Sequence, residues 1–368
     1  MSPKKRLPKN RQHPSGWRWK NGAWRYRVPK GLEHLWEGKT EYRLGSSEAE
    51  AYRAWHERID LQGVDTDITS MAHLVDRYLA EVVPAKSPKT QESNRISLTR
   101  LRPVFGQMKP DDITPRHAYQ YRDIVSRQNG ATSANRDLEV LSHLLSMAVE
   151  WGVIDRNPVK GQVKKASIKP RDRLIEDWEI AEVLNLTEAT DARTARNDRL
   201  VKLYIQLKLA TGLRRGDLLR LRLGHLKADG IHVKPHKTAE SSGRRLIITW
   251  DEGGELRALV DAIQQIPPRR IGDAYLFTTR AGKPFINEED GRANAFDSLW
   301  QRFMQRVMTK TRVLERFQER DLRAKVGSES ESLQAASERL GHSSTEITKR
   351  VYRRKPVSVT PLIRKRNG

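Results

Sequence analysis

The sequence predicts a multidomain α+β chain: a small N-terminal three-stranded sheet with a helix, an all-α middle part, and a mixed, mainly α C-terminal part that carries a β-hairpin. Three observations lead there. The pair Asn21-Gly22 stands between two short segments of alternating large and basic residues, the strongest short-range hairpin signal. Residues 66 to about 160 repeat apolar positions at helical spacing. A length of 368 residues suggests two or three domains.

Taken in order, residues 1 to about 14 (MSPKKRLPKNRQHP) lack periodicity and read as a flexible basic arm. In GWRWKNGAWRYRVP, Trp17 and Trp19 share one strand face, and Trp24 and Tyr26 share one on the return strand. Arg18, Arg25 and Arg27 fall on the other face. KTEYRLG at 39–45 supplies a third strand, and SSEAEAYRAWHERI opens a helix with a serine cap and early acids. In MAHLVDRYLAEVV, Leu74, Val75, Tyr78 and Val82 form an apolar stripe that Pro84 ends. SPKTQESNRISLTRLRPVFG is a second helix of the middle part. ITPRHAYQYRDIVSR is a third, with Thr114 as N-cap and Pro115 at the first helical position. The fourth carries Leu138, Leu141, Leu144, Leu145 and Ala148 on one stripe and stops near Gly152. A polar, basic linker follows. The expected division is 1–65, 66–160, a linker at 161–174, and 175–368. The last part contains two helices broken at Thr211-Gly212, a hairpin around AESSG, and further helices.

Charge is the strongest bulk signal. Lys and Arg number 69 against 46 Asp and Glu, a formal +23. The excess is clustered: residues 1–30 hold ten bases and no acid, and 349–368 hold eight and no acid. Such clusters point to an extended polyanion, with nucleic acid the favoured partner over an inert basic surface. Lys20 joins the arginines of the sheet, and Lys86, Lys89 and Arg95 lie on the expected outer faces of the helices, as DNA-contacting candidates. No apolar run approaches the ~18 residues of a membrane-spanning helix, and no secretory signal is evident. The absence of cysteine excludes disulfides and thiolate metal sites and is compatible with a cytosolic protein.

Candidate chemistry lies in the last part. Arg214 follows a helix break, where a guanidinium is well placed to grip phosphate oxygens. Lys237 stands beside the hairpin turn, with Lys234 three residues earlier. DLRAKVGS supplies Arg323, and LGH supplies His342. Tyr352 follows among Lys349, Arg350, Arg353, Arg354 and Lys355. A tyrosine is a weak nucleophile that neighbouring cations activate. Taken alone it reads more readily as a surface residue on a basic DNA-contacting tail. Together the residues form a metal-free phosphoryl-transfer set. The arginines neutralise charge on a pentacoordinate phosphorus, His342 and Lys237 handle protons, and Tyr352 becomes the covalent carrier.

The order TGLR (Arg214), KT (Lys237), RDLR (Arg323), LGH (His342) and VY (Tyr352) resembles the tyrosine recombinases, in the lambda-type phage integrase branch. The resemblance is strong over 175–356 and weaker over the helical middle, which looks like the family's core-binding domain. The N-terminal sheet resembles its arm-type DNA-binding domain. It implies a site-specific recombinase that integrates, and with accessory factors excises, a phage or other mobile element through a 3′-phosphotyrosyl intermediate. Lys237 is then expected to protonate the leaving oxygen, with Arg214, Arg323 and His342 stabilising the transition state. It further implies attachment-site duplex DNA and a homotetramer as partners, a host DNA-bending protein, an excisionase, no cofactor or metal, and action in the cytoplasm of a bacterial host. The alternatives are a DNA-binding regulator without catalysis and a type IB topoisomerase. Two features depart from the family pattern. Arg320 occupies the first position of H-x-x-R, and arginine cannot act as a base. His342 to Tyr352 spans ten residues, one more than is usual, and Arg323 to His342 is short.

Overall fold

The computed structural model describes residues 13–14, 16–28, 33–60, 68–236, 243, 245–268, 271–342 and 344–355. They form two compact units, 1–169 and 170–368.

In the first unit, β1 (Trp17–Lys20), β2 (Ala23–Arg27) and β3 (Glu41–Gly45) form an antiparallel sheet in the order β1-β2-β3. Asn21 and Gly22 both adopt left-handed φ angles, 52° and 70°. That combination makes the tight turn whose twist matches the strands. Arg18, Arg25 and Arg43 stand in register across the three strands, with a bulge between Trp24 and Arg25. The other face is aromatic: Trp17 packs on Tyr52 at 4.7 Å between ring centroids, and Tyr26 on Trp36 at 4.7 Å.

Tyr52 belongs to α1 (Glu48–Asp60), whose first turn is closed by Glu50 accepting from the Ser46 amide at 2.8 Å. Then come α2 (Met71–Glu81), α3 (Pro88–Phe105), α4 (Pro115–Asn129) and α5 (Ala131–Glu150). Ser70 caps α2 and Thr114 caps α4, each accepting from the third residue of its helix. The stripe foreseen on α5 is buried from Leu138 to Ala148. One apolar cluster runs from Trp17 and Trp24 through Leu74, Tyr78 and Leu141 to Val159, so the sheet and the helices share a core. Two buried carboxylates lock the helices. Asp137 takes Arg100 at 2.7 and 2.5 Å, and Asp76 takes Arg102 at 2.5 and 2.9 Å. Such forks satisfy charges that burial alone would penalise.

The second unit contains α6 (Asp177–Leu184), α7 (Ala192–Thr211), α8 (Arg215–Leu219), β4 (Gly230–Val233), β5 (Leu246–Thr249), α9 (Glu255–Gln264), α10 (Asn294–Lys310), α11 (Glu319–Glu329) and α12 (Leu333–Arg339). A short α-turn, Thr345–Ile347, runs into a π-helical turn, Thr348–Tyr352. β4 and β5 pair antiparallel from Gly230↔Thr249 to Val233↔Leu246, the hairpin that the alternation predicts. Its turn, 237–242, lies outside the described residues. The segment 274–285 forms isolated bridges such as Arg222↔Tyr275 rather than a strand. The core is built around α7, which buries Leu200, Tyr204, Ile205, Leu207 and Lys208 and so lacks a solvent stripe over much of its length. Phe277, Phe296, Phe303 and Phe317 close around it, each fully buried and contributing about 1.5–3 kcal/mol. Among the described residues no helix is long and apolar enough to cross a membrane.

Candidate nucleic-acid cleavage site

Helix α11 organises the site. Residues 321 to 328 are all buried, including Asp321, Arg323, Lys325 and Ser328. Each of these polar groups therefore needs a partner inside the fold. Arg323 finds its partners at two helix ends. Its Nη1 donates to the carbonyl of Gly212, just past α7, and its Nη2 to the carbonyl of Leu340, just past α12. Helix C-termini carry partial negative charge and unpaired carbonyls, so they suit a buried cation. Nη2 also lies 3.0 Å from His342 Nε2. Its Nε has no partner among the described residues. Burial pushes the Arg323 guanidinium down to about 10, and the like charge of Arg214 pushes it the same way. At about 10 the Arg323 guanidinium stays cationic at neutral pH.

Arg214 is set by a sharp helix ending. Gly212 caps α7 in the left-handed conformation (φ 64°), where a Cβ would stand 3.1 Å from Val326 and 3.2 Å from Leu340. The chain then reverses, and Arg214 becomes the extended N-cap of α8. It is half-buried, and its side chain has no hydrogen bond or ion pair among the described residues. Asp217, in the first turn of α8, accepts from the backbone amide of His236 at 2.8 Å. It ties α8 to the end of the hairpin strand that leads to Lys237.

His342 is 4% exposed. Its Nδ1 lies 2.7 Å from Thr348 Oγ1, and Thr348 is fully buried. Arginine only donates, so Nε2 accepts in the contact with Arg323, and Nδ1–H is donated to Thr348. Tyr352 packs its ring 4.8 Å from the His342 ring, centroid to centroid, and 5.3 Å from Arg323 Cζ. Its backbone rests on α11. Ser328 Oγ donates to the Tyr352 carbonyl at 2.9 Å, and a Cβ on Gly327 would stand 3.0 Å from Tyr352 Cβ.

The structure thus brings Arg323, His342 and Tyr352 into contact, with Arg214 near enough to act on Arg323 through its charge. Arg320 lies in the first turn of α11, exposed and without a partner among the described residues. Lys237 lies outside the described residues, and Lys234 is exposed just past β4. Sequence reasoning missed Thr348, Ser328 and Gly327. Only Thr348 left a trace, a hydroxyl six residues after His342 in a helical stretch. Among the described residues no group of three or more His, Asp or Glu stands ready to hold a metal ion.

The basic candidates of the first unit divide in two. Arg18 and Arg25 both reach Glu41, Arg25 at 3.7 Å, and Arg95 pairs with Glu48 at 3.2 Å. Lys86 donates to the Tyr78 hydroxyl at 2.6 Å. Lys20, Arg27 and Lys89 are exposed, with no side-chain partner among the described residues. Arg43, in register with Arg25, adds a base that the sequence reading passed over.

No protein-family model matches the chain. A protein of Haemophilus influenzae, provisionally described as an integrase/recombinase, is 25% identical over 173 residues. That match covers 46% of this chain and 55% of the relative, so the chain spans about half the length of the curated protein it resembles. Among solved structures, a lambda integrase tetramer bound to a Holliday junction aligns with a TM-score of 0.62 at 18% identity, over 95% of this chain and 98% of the other. A lambda integrase dimer bound to a COC′ core site gives 0.63 at 16%, over 80% and 100%. The Tn1549 transposon integrase in complex with transposon right end DNA gives 0.57 at 16%, over 76% and 93%. The likeness covers both units, and the chain has the fold of the lambda and Tn1549 integrases, which are tyrosine recombinases.

Proposed function

We propose that this protein is a site-specific DNA recombinase that cuts and rejoins duplex DNA through Tyr352. The observation that carries the reading is the packing of the Tyr352 ring against His342 and Arg323, beside an Arg214 whose side chain has no partner among the described residues. Two adjacent cations with few acids to balance them make a site for a phosphodiester. Tyr352 Oη forms the new bond to phosphorus, the bond to the 5′ oxygen breaks, and the phenolic proton leaves to water. Lys237 gives its proton to the departing oxygen. The products are a 3′-phosphotyrosyl link and a free 5′-hydroxyl, which can attack in reverse. The bond energy stays in the link, so the exchange needs no external energy source.

Residues 1–65 serve as an arm-type DNA module and the helices to 160 as a core-site clamp, joined through 161–174 to the catalytic part. Arg27 and Lys20 are the sheet bases best able to reach phosphate, since Arg18 and Arg25 are already drawn to Glu41. Strand exchange calls for four protomers on two duplexes. An excisionase and a host DNA-bending protein set direction. The substrate is the attachment site of a phage or other mobile element in a bacterial cell.

Covalent trapping tests this reading. The protein and its Tyr352→Phe variant are incubated in EDTA with nicked DNA from the flanks of the gene and run on a denaturing gel. A shifted band with the wild type alone is expected. DNA binding by both proteins without any band favours a regulator that keeps the fold without the chemistry. Relaxation of arbitrary plasmid favours a topoisomerase.

A further inference from the structure

Helix α11 carries a second charged residue whose role the cleavage scheme leaves unassigned. Asp321 is fully buried, and its carboxylate is shared by two arginines from opposite ends of the unit's sequence. Arg171, where the chain enters the unit, donates from Nε to the two oxygens at 3.0 and 2.9 Å. Arg354, two residues past Tyr352, donates from Nη1 to Oδ1 at 2.7 Å, and to the carbonyl of Arg173 at 2.7 Å. The amide of Gln318 completes the set at 2.8 Å on Oδ2. A carboxylate buried this deeply needs partners on all sides to offset the loss of water, and Asp321 has them.

The tail bases do not share this arrangement. Lys349, Arg350, Arg353 and Lys355 are exposed, whereas the Arg354 side chain is only 7% exposed and turned inward. Its backbone is held too: the Arg354 amide donates to Ser328 Oγ at 2.8 Å, the same hydroxyl that donates to the Tyr352 carbonyl. The chain is therefore fixed on α11 at Tyr352 and again two residues later, through Ser328 and Asp321 of the same helix that carries Arg323.

We infer that Asp321 and Arg354 are positioning residues for strand cleavage, an inference that rests on the reading above. Their buried ion pair holds the Tyr352 segment against the Arg323 of its own chain and joins that segment to the one carrying Arg171. Neither residue touches the reacting atoms. Reacting groups tolerate little displacement, since an error of about 1 Å costs on the order of 100-fold in rate.

The test compares the full-length wild type with Arg354→Met, Arg354→Lys and Asp321→Asn. Arg354→Met keeps the long apolar stem and removes the charge. Two quantities are measured: single-turnover adduct formation on nicked DNA, and hydrogen exchange in the peptide 348–355 of the free protein. For Arg354→Met, adduct formation is expected to slow roughly 10- to 100-fold at unchanged DNA affinity, with faster exchange in that peptide. Arg354→Lys should recover most of both. Asp321→Asn should match Arg354→Met, and the double variant should be no slower than either. A wild type that forms adduct, with Arg354→Met equally fast, overturns the inference alone. A wild type that forms no adduct overturns the cleavage reading, and unchanged exchange in Arg354→Met then overturns the clamp as well.

Discussion

His342 donates its Nδ1 proton to the hydroxyl of Thr348, six residues along the chain and 2.7 Å away. That bond fixes which nitrogen of the ring carries the proton and leaves Nε2 facing Arg323 and the tyrosine. A loss of orientation worth about 1.4 kcal/mol is about tenfold in rate. Thr348→Val keeps the shape and removes the hydroxyl, so adduct formation is expected to fall about tenfold with DNA affinity unchanged. Thr348→Ser should stay near wild type. A Val variant that cleaves at the wild-type rate would show that the ring is held by packing alone.

Gly327 sets two effects against each other. Alanine gains about 1 kcal/mol over glycine in a helix interior. A Cβ there would nevertheless meet Leu340 and Tyr352 at 3.0 Å each. In Gly327→Ala the helix gain offsets the crowding, so the melting temperature is expected to move little. Tyr352 shifts off its seat, and cleavage drops. Thermal melts beside single-turnover assays separate the two, and a melting temperature that falls as far as the activity would point to simple misfolding.

The two arginines of the site are expected to behave oppositely when removed. Arg323→Ala strips the partner from two buried carbonyls, at a cost of about 1–3 kcal/mol for each. Arg214→Ala removes an arginine with no partner among the described residues, and is expected to stay within about 0.5 kcal/mol of wild-type stability. Both should abolish adduct formation. Denaturant titration of the two variants checks the contrast, and equal destabilisation would mean that Arg214 is bound within the fold.

Much of the architecture is visible in the sequence because it rests on local signals. Asn21-Gly22 dictates its turn by backbone conformation, Thr114-Pro115 opens its helix, and the leucines of α5 face one way because their spacing is helical. The candidate site was read from residue types and their order, and the structure places Arg323, His342 and Tyr352 of that set in contact. Its supports were not. Gly327 matters through a contact 25 residues away in the chain, and Ser328 through one 24 residues away. No periodicity records such a pairing. The basic sheet shows the same limit: alternation places Arg18 and Arg25 on one face, but the neutralising Glu41 comes from a strand paired across the sheet.

Acid is expected to weaken the first unit at His143. Burial, and then the charge of Lys86, hold its imidazole below the usual 6.5. The Tyr78 hydroxyl accepts from Lys86 at 2.6 Å and from Asn94 at 3.4 Å, which leaves its own proton for His143 Nδ1 at 3.0 Å. Protonating His143 breaks that bond. Because the unfolded chain binds this proton more readily, the contribution is complete above 6.5 and is lost as pH falls through the lower folded value. Unfolding free energies measured downward from pH 6.5 should decline more gently in His143→Gln than in the wild type. An identical slope would place the acid sensitivity at other groups.

The π-helical turn before Tyr352 closes with the Arg353 amide bonded to the Thr348 carbonyl at 3.0 Å, five residues back instead of four. Each residue of an α-helix advances the chain by about 100°. An additional residue between His342 and Tyr352 would therefore swing the phenol to the wrong side of an ordinary helix. A π-helical turn of this kind can take up one residue as a bulge and leave the phase of the following residues unchanged. Spacing in this stretch is thus a matter of angle rather than length: one residue more or fewer is tolerated when the helix can change its pitch, and removing one from 349–351 should convert the bulge to a regular turn with the tyrosine still aimed at its partners.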